Sequence, residues 1–176
     1  MFEELLLAGP QERRIILQTH LGANIKNEIA VHPVPEHAVA KFRRLVEHHP
    51  RWIVRKPPTG IYNCVGHVWA CRRTAVYDKF DEAVLRIRAD DGYRTIDWES
   101  ESPVPGDVAC YWEGLNPYRN CLHVGQVIYL RSRSSLPPEV FVLSKWDDVC
   151  GEVIHVADDY PANFGNARME YWTDRP

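Results

Sequence analysis

Apolar residues recur at two different periods along this chain, and the change of period divides it near residue 100. Val39, Phe42, Leu45 and Val46 stand at i, i+3, i+6 and i+7, one face of a helix that opens at Val34-Pro35-Glu36 and ends at His48-His49-Pro50. Phe80, Ala83, Val84 and Ile87 form a second stripe, predicting a helix over about residues 77 to 88 that Asp90-Asp91-Gly92 closes. Between them, Trp52-Ile53-Val54 leads through Pro57-Pro58 into a helix expected from Cys64 to about Arg73, with Val65, Val68 and Trp69 as its buried stripe. An earlier short helix is expected over residues 10 to 20, carrying Ile15 and Ile16 and stopped by Gly22. His32, His37, His48 and His49 show no ligand-like spacing and read as surface residues.

Beyond a short extended piece at residues 93 to 98, the pattern turns strand-like. Pro105-Gly106-Asp107 is a turn into Val108-Ala109-Cys110-Tyr111-Trp112, and residues 113 to 120 loop to a strand beginning near His123. Residues 131 to 139 connect to a strand over 140 to 146, followed by one over 152 to 156 and an edge piece over 167 to 172. Helices first and an antiparallel sheet second is an α+β layout, and no internal repeat or low-complexity segment interrupts it.

Length and charge narrow the picture. A chain of 176 residues suits one domain and buries roughly 70% of its unfolded surface, enough for a real core. The formal net charge of −3 gives no basic footprint of the kind nucleic-acid binders carry. Five cysteines, an odd number without dense spacing, predict reduced thiols and a cytoplasmic protein as synthesised. The first ten residues lack the basic and long apolar regions of a signal peptide, so action outside the cytoplasm would need a dedicated secretion system. No stretch approaches the ~20 apolar residues that span a bilayer.

The candidate chemistry centres on Tyr62-Asn63-Cys64. A cysteine in the first turn of a helix meets unpaired N–H groups and the positive end of the helix dipole, which predicts a lowered thiol pKa and a nucleophile. His123, at the mouth of a strand, is the candidate general base. A third polar group must hold its ring and tautomer. A hairpin starting at His123 brings back Ser144 and Asp147, and the next strand brings His155; a one-residue slip of register decides among them, so all three stay candidates. Tyr62, Trp112 and Trp146 are aromatics available to line a cleft or to fill the core.

Tyr62-Asn63-Cys64 at a helix start, Pro105-Gly106-Asp107 before a strand and His123-Val124-Gly125 opening the next resemble the papain-like cysteine hydrolases of the NlpC and CHAP type. Leu143-Ser144-Lys145-Trp146 is also similar to the Asn-Ser-Trp stretch of papain-like proteases, with Ser144 where the orienting Asn would fall. The resemblance covers about residues 57 to 156. It implies a papain-like fold in which N-terminal helices pack on an antiparallel sheet, with a helical part over 1 to 56 and the catalytic core over 57 to 176. It implies acyl transfer without a metal or other cofactor: Cys64 attacks an amide carbonyl, forms a thioester, and His123 protonates the leaving amine and then activates water. The substrate class would be a peptide or a peptidoglycan-like amide, and families of this shape also deamidate or cross-link protein glutamines. In NlpC-type enzymes Asp usually precedes the cysteine and Ser-Gly follows it; here Asn63 precedes and Val65-Gly66 follows.

Two rivals stand beside this reading. Cys64-x-x-His67 and Cys121-x-His123 offer mixed sulfur and nitrogen ligands to zinc, though neither spacing is that of a finger or ribbon. A non-catalytic binding domain on the same fold is the other, since a fold does not dictate activity. A bacterial toxin or effector role is compatible with a small domain of this kind, as is housekeeping; a toxin would bring an inhibitor, immunity or carrier protein as partner.

Overall fold

The computed structural model describes residues 15–28, 33–77, 80–114, 120–134, 136–165 and 167–176. Its centre is one seven-stranded antiparallel sheet. The strands are β1 (Ile53–Lys56), β2 (Arg94–Thr95), β3 (Val108–Glu113), β4 (Asn120–Arg131), β5 (Glu139–Ser144), β6 (Glu152–Val156) and β7 (Arg168–Thr173). Their spatial order is β1-β6-β5-β4-β3-β7-β2. Consecutive strands β3 to β6 form a meander, while β7 returns to pair with β3 and leaves β2 and β1 as the two edges. The α-helices among the described residues are α1 (Glu36–His48), α2 (Cys64–Trp69) and α3 (Phe80–Asp90), with a 3-10 turn at Ala162–Phe164. No described helix is long and apolar enough to cross a membrane.

This corrects the expected fold. The chain is a β-rich protein built on a seven-stranded antiparallel sheet with a few short helices, rather than a papain-like α+β arrangement of N-terminal helices on a sheet. Three local causes account for the shift. The part of the first expected helix that is described is extended: Gln18 bridges Asn24 across a turn at Gly22 (φ +82°), and Glu28 bridges Ala75. The remainder of that helix, residues 10 to 14, lies outside the described residues, as does His32. Next, α2 stops after six residues, because Cys71 and Arg72 take left-handed φ values of +49° and +65° that no helix continues through. Finally, β4 runs twelve residues, so His123 is its fourth residue instead of its first.

Period-two alternation sorts the core into two layers. On one face Val108, Cys110, Trp112, Cys121, Val124 and Trp172 pack with Val65 of α2 and Val84 and Ile87 of α3. On the other, Ala109, Tyr111, Val127, Val142, Val153 and Tyr171 pack with Phe42 of α1, Trp52 and Trp146. Gly125 of β4 has a role in this packing. A Cβ there would lie 2.5 Å from Val142 Cγ1 and 2.6 Å from Ser144 Oγ, so only hydrogen lets Ser144 close over β4.

Candidate active site

Cys64 opens α2, and Asn63 is its cap. The Asn63 side chain accepts from the Gly66 N–H (3.1 Å) and the Val76 N–H (3.2 Å) and donates to the Val76 carbonyl (2.6 Å). An aspartate would cap the helix equally well but has no N–H for that carbonyl, which explains why an amide stands here. Gly66 is equally constrained, since a Cβ would fall 1.7 Å from the Thr74 carbonyl oxygen. Together they press the 74–76 segment against the start of α2 and fix the position of the sulfur.

Cys64 and His123 line one cleft of about 150 Å³, shared with Lys145, Trp146, Asp147 and Asp148. They reach it from different sides of β4. Cys64 belongs to the layer of Val65 and Val124, whereas His123 pairs with Tyr111 in register and stacks on Trp146 at 4.0 Å, within the other layer. A register shift between Tyr111 and Trp112 places a bulge at Leu122, which lines the cleft next to His123. The backbone amides of Val124 and Val65 favour the ionised sulfur, and His123 Nε2 has no hydrogen-bond partner among the described residues.

The electrostatics differ from those expected at a helix N-terminus. Burial pushes the Cys64 thiol up to about 11, outweighing both backbone donors and the nearby Lys145 ammonium. Burial likewise pulls His123 well below its ordinary value, helped by His155 and His67. At neutral pH the cleft therefore holds a thiol and a neutral imidazole, not an ion pair.

The three candidates for the orienting group are engaged with partners other than His123. Ser144 and His155 pair with each other: His155 Nδ1 donates to the Val156 carbonyl (2.7 Å), leaving Nε2 to accept from the Ser144 hydroxyl (2.9 Å). Burial pulls the His155 imidazole down to about 4. Asp147 lines the cleft, but its carboxylate accepts from Lys41 at 2.5 Å. Among the described hydrogen bonds none joins His123 to any of the three. Its ring is held instead by the stack on Trp146, which also packs against the rings of His155, Phe164 and Tyr111. His49, expected on the surface, is half-buried, stacked on Trp52 at 4.2 Å and bonded to Asp159.

Sequence reasoning passed over Lys145 and Glu152. Lys145 is buried in the cleft wall. Glu152 lies at 1% exposure under α2, accepting from Tyr62 Oη (2.6 Å) and Arg72 Nε (2.5 Å), with His67 Nδ1 at 3.4 Å. Burial would push its carboxyl up, yet His67, Arg72 and Tyr62 hold it far below the ordinary carboxylate range. A charged residue inside an otherwise apolar strand pattern was the available signal for both. As for zinc, no cluster of three or more His, Cys, Asp or Glu side chains able to hold a metal occurs among the described residues. A wider apolar hollow of about 720 Å³, walled by Trp98, Leu136 and Tyr171, contains none of the candidate residues. No family model, curated protein or solved structure matches the chain.

Proposed function

We propose that this cleft is a thiol-dependent acyl-transfer site, with Cys64 as nucleophile and His123 as general base, acting on a peptide or peptidoglycan-like amide. The observation that carries the reading is a buried thiol and an unpartnered imidazole nitrogen lining the same small cleft. A neutral imidazole is the form that can accept a proton, and a protonated thiol is the form that needs one removed. Attack on the carbonyl carbon forms the C–S bond as the thiol proton passes to His123. Collapse of the tetrahedral intermediate breaks the C–N bond, and His123 returns that proton to the amine. Water, deprotonated by His123, then attacks the thioester carbonyl, the C–S bond breaks to release the acid, and His123 returns the proton to the Cys64 sulfur. Catalytic hydrogen bonds are often loose without substrate and tighten in the complex, so a Cys64–His123 bond belongs to the bound state.

A second reading, a binding cleft without chemistry, is favoured by the thiol's burial and its raised pKa. Iodoacetamide followed by peptide mass mapping separates the two. Acyl transfer predicts that Cys64 alkylates faster than the exposed Cys71, and that His123→Ala slows Cys64 at least about tenfold while leaving Cys71 unchanged. Alkylation of Cys64 more slowly than Cys71 overturns the catalytic reading in favour of the binder. Growth of a bacterial host expressing the chain or Cys64→Ala in cytoplasm and in periplasm tests the toxin role; equal growth in all four cultures excludes it.

A further inference from the structure

The unexplained group in the cleft is the ammonium of Lys145. The residue directly follows β5, and only 1% of its surface is exposed. A cation so far out of water normally has a carboxylate against it. Here Nζ donates to two backbone carbonyls instead, Asp147 at 2.9 Å and Asp148 at 2.7 Å, and lies 5.4 Å from the centre of the Tyr62 ring. Of the acids in its own loop, Asp147 pairs with Lys41, and Asp148, which lines the same cleft, meets the ammonium through its backbone carbonyl, with no ion pair between its carboxylate and Nζ among the described residues. Two carbonyls and a ring face compensate only part of the lost hydration, so the charge is costly where it stands.

We propose that Lys145 is a positioning residue for Cys64, holding the 147–148 turn as one wall of the cleft and setting a positive charge beside the sulfur. This rests on the acyl-transfer reading above. The ammonium has two consequences for the reaction. It fixes the backbone that closes the cleft next to His123 and Trp146, and it favours the negative sulfur that forms as the thiol proton leaves. The groups facing it are Tyr62 and Cys64 from the start of α2, His123 from β4, and Asp147, Asp148 and Cys150 from its own loop. Burial pulls Lys145 down to about 8, against the opposing pull of Cys150, Asp148, Cys64 and Asp147. The positive charge is therefore present at neutral pH and lost in mild alkali.

The test is the pH profile of Cys64 alkylation by iodoacetamide, measured in the unsubstituted chain, Lys145→Met and Lys145→Arg, with Cys71 as internal reference and circular dichroism to confirm folding. Loss of the charge should move the Cys64 profile toward higher pH by about half a unit or more, and Lys145→Arg should restore it. A merely structural lysine would not give that charge-dependent rescue. In the unsubstituted chain the rise of rate with pH should flatten near pH 8, where Lys145 discharges, a feature that remains readable should both variants fail to fold. A rapidly labelled Cys64 whose profile is the same with and without the charge, or lacks the break, overturns the role of Lys145 and leaves the nucleophile standing. Slow labelling of Cys64 in the unsubstituted chain defeats the nucleophile and this proposal with it.

Discussion

Two buried polar clusters flank α2, one centred on a paired carboxylate and the other on a thiol. Beneath the helix, a phenol and a guanidinium hold the Glu152 carboxylate, and the His67 imidazole lies 3.4 Å away with neither ring nitrogen hydrogen-bonded among the described residues. At the helix start, the cleft holds a desolvated thiol, an imidazole nitrogen without a partner among the described residues, and an ammonium held by two carbonyls and a ring face. The first cluster stabilises the connection between α2 and β6 and offsets the left-handed backbone at Arg72, whose side chain it uses. The second leaves interactions unmade in the interior, where each omission is expensive. We read that contrast as a structural lock beside the proposed acyl-transfer cleft, whose open groups a substrate would engage.

The sharpest way to break the comparison is to truncate one member of each cluster. Glu152→Ala leaves the Arg72 and Tyr62 donors unpaired at a buried site and should cost about 3–5 kcal/mol of unfolding free energy. Cys64→Ala removes a group whose hydrogen bonds are weak and should cost about 1 kcal/mol or less. Urea titrations of the two variants read both numbers. Equal losses would mean that the cleft is as structural as the lock.

Acid separates the clusters by pH window. His155 and His123 are buried with pKa values below their unfolded ones, so the unfolded chain binds protons that the folded chain refuses. Their stabilisation is complete above about pH 6.5 and declines as the pH falls from 6.5 toward 4, by up to about 1.4 kcal/mol per pH unit for each imidazole. Glu152, also lowered, contributes stability above its unfolded pKa of about 4.3 and loses it below that. The stability curve should thus fall in two stages, and Glu152→Gln should shrink only the lower one, to which Asp147 also contributes. A curve flat between pH 6.5 and 5 would show that neither imidazole is held neutral.

Gly125 tests the cross-strand geometry behind the cleft. Gly125→Ala puts a methyl within 2.6 Å of Ser144 Oγ and should cost about 1–3 kcal/mol by thermal or urea unfolding. A neutral substitution would mean that β5 can lift away from β4, loosening the Lys145–Trp146 wall with it.

Most elements could be read from the sequence, but their assembly could not. The stripe of Phe42, Leu45 and Val46 gave α1, and the β-rich runs at Val108, Val140 and Val153 gave β3, β5 and β6 close to their true bounds. The extended course of residues 15 to 28 was hidden, because Ile15, Ile16 and Leu17 fit a helix face as well as a strand, and the choice is made by bridges to distant residues. The 167 to 172 piece read as an edge strand, yet β7 is interior, flanked by β3 and β2. In the cleft, residue types placed Cys64 and His123, but the burial that raises one pKa and lowers the other depends on β4 and the 145–148 turn, neither of them local to the helix. The partner of Ser144 depended on register: β5 and β6 pair with Ser144 opposite Val153 and Val142 opposite His155, which brings the hydroxyl and the imidazole together.

The smallest expected effect settles a point of chemistry. Ser144→Ala removes one hydroxyl and leaves His155 Nε2 without its donor, which should cost about 1–2 kcal/mol. The Ser144 hydroxyl is spent on His155, and His123 is steadied by the Trp146 ring, so the alkylation rate of Cys64 should not change. Trp146→Ala should slow Cys64 labelling, because it frees the imidazole to turn away from the cleft. A fall in labelling on Ser144→Ala at unchanged folding would instead make the hydroxyl the orienting partner of His123 in the reacting state. In that case the pairing with His155 would be the resting arrangement of a side chain that changes partners when substrate arrives.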